Sequence, residues 1–471
     1  MKNITFQWNN ERELSKDELI SLLHSFGDLL PNPLAARMNI SDYATKLLTH
    51  ADIGLAFAGE EVVGFLCLYA NDIETRNAHW PLLSILPTHT GRGLGKVMMS
   101  RGLALCRQRG MNTCDLEVQA TNTPAHRLYL SCGFRFDITE GDGWTMRCTI
   151  PSVTPKSATT PIEEHPRLAA RLDLDIDLRI KRDDLYPATG GGNKARIIEY
   201  ILREMVAQGQ DVLVTNGGPQ SNNARASAVL AATLGIKCHL VIVLEPGISY
   251  PDTGNILLMR LSGATIEFCQ KNQLAEHMDK AVEYYKNLGH NPRYVWGGGH
   301  CLAGTTAFFD ASAEAQTQCG NWQPDFLILA SGTGTTLAGL ATGYANSTTQ
   351  IIGISVARDT TRGSHITSES VTEYLNSVVT GAKKTSIDID FRDDWTDGGY
   401  ERTSPQLLEI IEKSATAGVF VDPTYSGKAL HGLVELVKRG EIPSGSRVLF
   451  WHTGGLMNLQ ASPLVGSAIS L

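Results

Sequence analysis

Residues 326–336 read FLILASGTGTT. The apolar run 326–330 predicts a buried strand, and Ser331-Gly332-Thr333-Gly334-Thr335-Thr336 turns that strand into a helix. Glycines let the backbone wrap a ligand, free N–H groups at a helix start attract an anion, and the hydroxyls add donors. A monophosphate is the natural occupant of such a nest.

The same strand, turn and helix grammar extends to both sides. Upstream, strands are predicted over 211–215, 237–244 and 265–269, with helices over 221–234, from 255 onward and over 273–288. Downstream, strands over 351–356, 418–421 and 448–451 each stand beside a helical segment. This alternation predicts an α/β fold with mostly parallel sheets covered on both faces, and ligands at the carboxyl ends of strands. Residues 150–166 hold four prolines among Ser and Thr with no hydrophobic period, which reads as a linker. The expected division is a unit over 1–150, a linker over 151–166 and a unit over 167–471. Within the first unit the pattern predicts a helix over 19–26, a hairpin of 53–58 and 62–69, a strand over 80–86, a helix over 96–109 and a strand over 115–119.

The chain has 471 residues with 41 Lys and Arg against 49 Asp and Glu, a net charge of −8. That balance argues against a nucleic-acid or anionic-membrane partner, which requires a positive footprint. Nine scattered cysteines with no C-x-x-C pair make neither a disulfide framework nor a zinc site and suit a reducing compartment. The first nineteen residues are polar, unlike a secretory leader, and the apolar runs fall short of the ~20 residues that span a bilayer. A soluble, cytoplasmic protein is expected. None of the 13 histidines stands in H-x-x-H or another ligand spacing, so no metal is expected. Glycine is in surplus at 45, about one residue in ten against a usual ~7%.

In the first unit, Thr90-Gly91-Arg92-Gly93-Leu94-Gly95 lies between a strand and a helix and aims N–H groups outward, which suits a pyrophosphate. Taken alone this is a common tight turn. About 30 residues on stands a second element, Asn122, Ala125, Leu128, Tyr129, Gly133 and Phe134, spaced N-x-x-A-x-x-L-Y-x-x-x-G-F. Together the two resemble the GNAT acetyltransferases across most of residues 1–150, a mixed α/β fold. The resemblance implies that Arg92, Gly93, Gly95 and Asn122 serve acetyl-CoA, and that Tyr129 protonates the departing thiolate. Where the family's loop usually opens with Arg or Gln, this chain has Thr90. Glu117, on the strand before Asn122, is a candidate base for the acceptor amine, although a carboxylate there is as often structural.

In the second unit, residues 178–194 read LRIKRDDLYPATGGGNK. A lysine behind three glycines has the room and the desolvation that a Schiff-base amine wants, while a surface lysine in a turn is the plainer alternative. Asn216-Gly217-Gly218-Pro219-Gln220-Ser221-Asn222-Asn223 opens a helix, with Ser221 as its expected N-cap and free N–H groups for a carboxylate. A lysine, a carboxylate cradle and a phosphate nest fit pyridoxal 5'-phosphate holding an amino acid. With Asp422-Pro423-Thr424-Tyr425-Ser426-Gly427-Lys428-Ala429 and His452-Thr453-Gly454-Gly455 added, residues 165–465 resemble the 1-aminocyclopropane-1-carboxylate deaminase/D-cysteine desulfhydrase family, of fold-type II (tryptophan synthase β-like) architecture.

That resemblance implies Lys194 as Schiff-base lysine and proton carrier, Asn222 on the cofactor's ring hydroxyl, and Gly332, Thr333, Gly334, Thr335 and Thr336 on its phosphate. Ser221 and Asn223 face the substrate, Tyr425 overhangs it, and Ser426 with Thr453 meets the pyridine nitrogen. A homodimer is also implied. The cyclopropane deaminases carry Glu after the tyrosine, where this chain has the neutral Ser426. They also carry a second substrate-site tyrosine, and Gly297-Gly298-Gly299-His300-Cys301-Leu302 shows none. Ile197 stands for a family lysine and Asn223 for a His or Gln. These features favour β-elimination from a small β-substituted amino acid over ring opening. β-Replacement fits the same residues, and either unit as a binding or regulatory module is a further alternative.

Overall fold

The computed structural model describes residues 4–140, 143–150, 158–245, 247, 252–378 and 387–462. The first unit contains β1 (Ile4–Trp8), β2 (Asp52–Ala58), β3 (Glu61–Tyr69), β4 (Asn77–Ile85), β5 (Thr113–Gln119), β6 (Arg135–Glu140) and β7 (Gly143–Thr149). They form one sheet in the order β1-β2-β3-β4-β5-β7-β6, antiparallel throughout except between β4 and β5. Helices Lys16–Gly27 and Ile40–His50 cover one face around Leu23, Phe26 and Phe65, and helix Leu94–Gln108 covers the other around Met98, Trp80 and Phe134. With both faces covered, β2 and β3 are buried along most of their length rather than in alternation.

The parallel ladder of β4 and β5 begins at Asn77↔Thr113 and ends at Trp80↔Leu116. Pro81 comes next and has no N–H to donate, so the pairing stops there. A cleft of ≈ 420 Å³ opens along the unpaired remainder of the two strands.

The second unit adds β8 (Ile162–Glu164), β9 (Asp177–Lys181), β10 (Val212–Gly217), β11 (Lys237–Val243), β12 (Thr265–Cys269), β13 (Pro292–Val295), β14 (Phe326–Ser331), β15 (Gln350–Ser355), β16 (Asp390–Arg392) and β17 (Arg447–Trp451). Two sheets result. The order β12-β11-β10-β13 is wholly parallel, and β16-β15-β14-β17-β9-β8 is parallel except for the edge strand β8. Helices cover both sheets, as the alternating pattern predicts. The carboxyl ends of β10, β14 and β17 converge on one cavity.

Two expectations need correction. Residues 418–421 form no strand. Val419 and Val421 are buried, but Val419 N–H donates to Ser414 O, Ser414 Oγ donates to Val419 O, and the His452 ring takes Phe420 O, so no ladder partner is needed. The linker is also shorter than its composition suggests. Residues 151–157 lie outside the described residues, but Ile162–Glu164 pairs with β9 and Pro166 opens helix Pro166–Arg171. Thr160 is buried, with its O accepting from Lys181 Nζ at 2.6 Å and its N–H donating to Glu314 Oε1 at 3.0 Å. Backbone pairing fixes this segment without hydrophobic periodicity, which is why composition reads it as loose.

The units pack through helix Leu94–Gln108. Arg101 Nε donates to Gly289 O at 2.5 Å and Ser100 Oγ to Asp211 Oδ2 at 3.3 Å. Asp211 is itself buried, accepting from the His290 ring at 2.6 Å and from Asn291 N–H at 2.7 Å. Among the described residues no helix is long and apolar enough to cross a membrane.

Candidate active site

The cavity at the sheet ends has a volume of ≈ 310 Å³. Its lysine is delivered by a glycine loop locked in place on two sides. Gly191 has φ +54 and a side chain there would sit 1.9 Å from Asp184 O, so glycine alone fits. From the facing helix Asn222–Thr233, the buried Arg225 donates to Thr189 O, Gly190 O and Gly191 O at 2.8, 3.3 and 2.9 Å. Behind this loop, Lys194 Nζ reaches the cavity and donates to Gly298 O at 2.8 Å. Burial lowers its pKa to about 8, and the nearby Arg358 pushes the same way.

Ser221 caps its helix, accepting Ala224 N–H at 3.2 Å, and lines the cavity beside Asn222 and Asn223. Asn222 Oδ1 accepts from Asn255 Nδ2 at 3.0 Å, which leaves its own amide N–H groups as donors. Opposite, none of the Gly332, Thr333, Gly334 and Thr335 amides donates to a backbone carbonyl among the described residues. Helix Thr335–Gly343 begins there with no side-chain cap. Among the described residues Asn216 Nδ2, Asn223 Oδ1 and Ser331 Oγ are buried and find no partner. Such orphans cost roughly 1–3 kcal/mol each, which a polar ligand in this cavity relieves. The donor set therefore fits a phosphorylated pyridine aldehyde, with the nest for phosphate, Asn222 for the ring oxygen and Lys194 for the aldehyde carbon.

Most of the expected residues meet here: Lys194, Ser221, Asn222, Asn223, Gly332, Thr333, Gly334, Thr336, Tyr425 and Thr453 line the one cavity. Thr335 is buried behind it, 3.3 Å from both Thr333 Oγ1 and His300 Nδ1. Ser426 is also buried, and its Oγ donates to Asp422 Oδ1 at 2.7 Å and approaches Gly454 O at 3.0 Å. The remaining Asp422 oxygen accepts Thr424 and Tyr425 N–H at 3.0 and 3.1 Å, so this buried carboxylate fixes the turn carrying Tyr425.

A second tyrosine is present after all, from a place the glycine-rich stretch 297–302 does not reveal. Tyr400 arrives on the loop after β16, and its hydroxyl lies 2.6 Å from that of Tyr425. Burial raises both phenol pKa values, so both hold their protons at neutral pH. The loop is held by Lys428, a fully buried side chain whose Nζ donates to Val356 O, Thr396 O and Gly399 O at 3.2, 2.6 and 2.6 Å. Its position, two residues beyond Ser426 and on an apolar helix, is the only trace of that role in the sequence. Arg358 on the same wall was equally unmarked, as was the bracing Arg225.

In the first unit, Asn122, Tyr129, Thr90 and Glu117 line the cleft between β4 and β5. Asn122 Oδ1 also caps helix Thr123–Ser131, accepting Ala125 N–H at 3.2 Å. Burial pushes the Tyr129 phenol up to about 12. Gly93 starts helix Leu94–Gln108 without a side-chain cap, Gly95 packs under Leu128, and Arg92 lines a separate hollow with His89 and Leu288. Among the described residues no three His, Cys, Asp or Glu side chains gather as a metal site.

Comparison with known proteins agrees with both halves. Residues 153–454 match the family model described as pyridoxal-phosphate dependent enzyme, and residues 21–134 match that of the acetyltransferase (GNAT) family. Over 318 residues the chain is 33% identical to a 1-aminocyclopropane-1-carboxylate deaminase of Burkholderia vietnamiensis, covering 64% of this chain and 93% of that protein. A protein of the same description from Burkholderia ambifaria is 32% identical with the same coverage. The crystal structure of an ACC deaminase homologue superposes with a TM-score of 0.59 at 30% identity, over 66% of this chain and 94% of that one. The chain belongs to the pyridoxal-phosphate dependent enzymes, related there to 1-aminocyclopropane-1-carboxylate deaminase, and carries a GNAT acetyltransferase domain before that enzyme domain.

Proposed function

We propose that the pyridoxal-phosphate half removes the amino group of a small β-substituted amino acid by α,β-elimination, releasing a 2-oxo acid and ammonia. The N-terminal half transfers acetyl from acetyl-CoA to an amine. The observation that carries the first reading is one cavity holding a lysine of pKa about 8 together with two protonated tyrosine hydroxyls.

Bound pyridoxal phosphate supplies the electron sink that makes an amino acid's α-proton removable. Lys194 Nζ then serves as the base that takes this proton, its lowered pKa providing the neutral amine. Tyr425, hydrogen-bonded to Tyr400, gives a proton to the group leaving the β-carbon. The carboxylate end of the substrate is held by Ser221 and Asn223 at the helix start. The released enamine hydrolyses in water to the 2-oxo acid and ammonia.

Elimination is favoured over ring opening because Ser426, a hydroxyl, stands where the cyclopropane deaminases have Glu. The Tyr400–Tyr425 pair and the identity to deaminases support ring opening as the second reading. Assaying D- and L-cysteine, β-chloroalanine and 1-aminocyclopropane-1-carboxylate for 2-oxo acid separates them. Turnover of the cyclopropane acid alone would overturn elimination. Added thiol diverting product into a new amino acid would instead mark a β-replacement synthase.

In the N-terminal half, the uncapped helix start with Gly93 and Arg92 serves the pyrophosphate, and Tyr129 protonates the thiolate. Nine free cysteines support a reducing, cytoplasmic setting, and the family resemblance supports a homodimer. Division into units over 1–150 and 167–471 is retained in this reading, with the start of the second unit moved back to take in Thr160 and the strand at Ile162.

A further inference from the structure

The cleft between β4 and β5 has two charged side chains on its wall, Arg37 and Glu117. Neither makes an ion pair or side-chain hydrogen bond with a described residue. Both side chains are exposed in the open cleft, whereas Arg109 with Asp52 and Arg147 with Asp137 are paired. The rest of the wall is apolar or neutral, with Trp80, Leu82 and Leu116 among it. A cleft of ≈ 420 Å³ offering one unmatched cation and one unmatched anion is the complement of a small zwitterion.

The wall that bears Arg37 is fixed to the sheet. Ser84 Oγ on β4 donates to Phe26 O at 3.1 Å in a buried contact, which seats the end of helix Lys16–Gly27. Gly27 lies so close under Leu34 that a side chain there would come within 2.7 Å of it. The short turn Leu34–Ala36 follows, and Arg37 leaves from its end into the cleft. Glu117 enters from the other side, on β5, one strand position past the last rung of the parallel ladder.

We propose that the acetyl acceptor is a free α-amino acid, its carboxylate held by Arg37 and its ammonium facing Glu117. This rests on the acetyltransferase reading of the N-terminal half and adds the chemical class of its acceptor. The planar guanidinium grips a carboxylate with two parallel N–H donors. Glu117 takes one proton from the ammonium. The freed amine attacks the acetyl carbonyl, the N–C bond forms as the C–S bond breaks, the leaving thiolate takes the Tyr129 proton, and the second proton of the amine nitrogen passes to Tyr129 and restores it. A polyamine would set a second cation against Arg37, and a simple amine would leave Arg37 unmatched.

The test uses the full chain with acetyl-CoA, reading thiol release with a chromogenic disulfide. The panel is leucine and phenylalanine in both enantiomers, their amides, and isoamylamine and phenethylamine. At least one free amino acid is expected to turn over with kcat/KM about 50-fold above its amide and its amine, the worth of a charge-assisted pair. Arg37→Gln should bring that amino acid down to the level of its amide, chiefly through KM, and Arg37→Lys should restore part of the loss. Unchanged acetyl-CoA binding by the variants in calorimetry shows that the unit carrying Arg37 folds. Amides or amines acetylated as well as the acids overturn the proposal, as does acetyl-CoA binding without turnover of any panel member. Calorimetry showing no acetyl-CoA binding overturns the acetyltransferase reading beneath it, and the proposal with it.

Discussion

The hydroxyl oxygens of Tyr400 and Tyr425 lie 2.6 Å apart on the wall of the cofactor cavity, their rings edge to face with centroids 6.0 Å apart. One hydroxyl must donate to the other, so the pair presents a single free proton to a bound substrate. Removing either phenol breaks the same relay. Tyr400→Phe and Tyr425→Phe are each expected to lower kcat by about 10²-fold, and the double variant by little more. Steady-state 2-oxo acid release measures this. Fully additive losses would show that the two act separately.

Lys194 carries a pH prediction. Its pKa near 8 lies below the ordinary lysine value because burial disfavours the ammonium. Only the neutral amine condenses with an aldehyde. Uptake of pyridoxal phosphate by apoprotein should therefore speed up about tenfold per pH unit below 8 and level off above it. A rate flat between pH 6 and 9 contradicts the assignment. Lys194→Ala should abolish the yellow absorption of the bound cofactor, and a spectrum equal to wild type would remove Lys194 from its role.

Lys428 ties three carbonyls from two chain segments, among them Gly399 O immediately before Tyr400. Lys428→Met keeps the length and removes all three bonds, leaving Thr396 O and Gly399 O to the N–H groups of Gly399 and Arg402 alone. A stability loss of about 3 kcal/mol is expected in urea unfolding, from the loss of the buried charge-assisted bonds. With Tyr400 loosened, kcat should fall in the folded fraction while cofactor content stays normal. Wild-type kcat would mean that the staple has no bearing on Tyr400.

Arg225 spans the gap between the asparagine helix and the glycine loop. Arg225→Met should destabilise the chain by about 3 kcal/mol and lower cofactor affinity, because the loop that aims Lys194 loses its brace. Thermal unfolding and equilibrium dialysis of the cofactor check the two effects. Stability lost with affinity intact would confine Arg225 to a structural part.

The motifs legible in the sequence are those in which one short segment does a complete job. The nest at 331–336 and the asparagine helix at 221–223 each combine strand end, turn and helix start, so periodicity and glycine placement expose them. Tyr400 escapes because a loop of irregular backbone brings it in, and that loop is placed by bonds from Lys428 on another element. Arg225 escapes because three of its four acceptors are backbone carbonyls, which leave no mark in side-chain identity. For the same reason the edge strand Ile162–Glu164 reads as linker, while the apolar run 418–421 reads as a strand although its backbone is satisfied elsewhere.

Asp211, at the head of β10, and Gly289, shortly before β13, accept from Ser100 and Arg101 of the N-terminal unit, and the far ends of those strands deliver Asn216 and Gly297 to the cofactor cavity. Each strand is six residues or fewer. At about 3.3 Å per residue the junction therefore stands some 20 Å or less from the cavity along a single stiff rod. The two units thus share one footing, because the strand that carries their junction also forms the floor of the cofactor cavity.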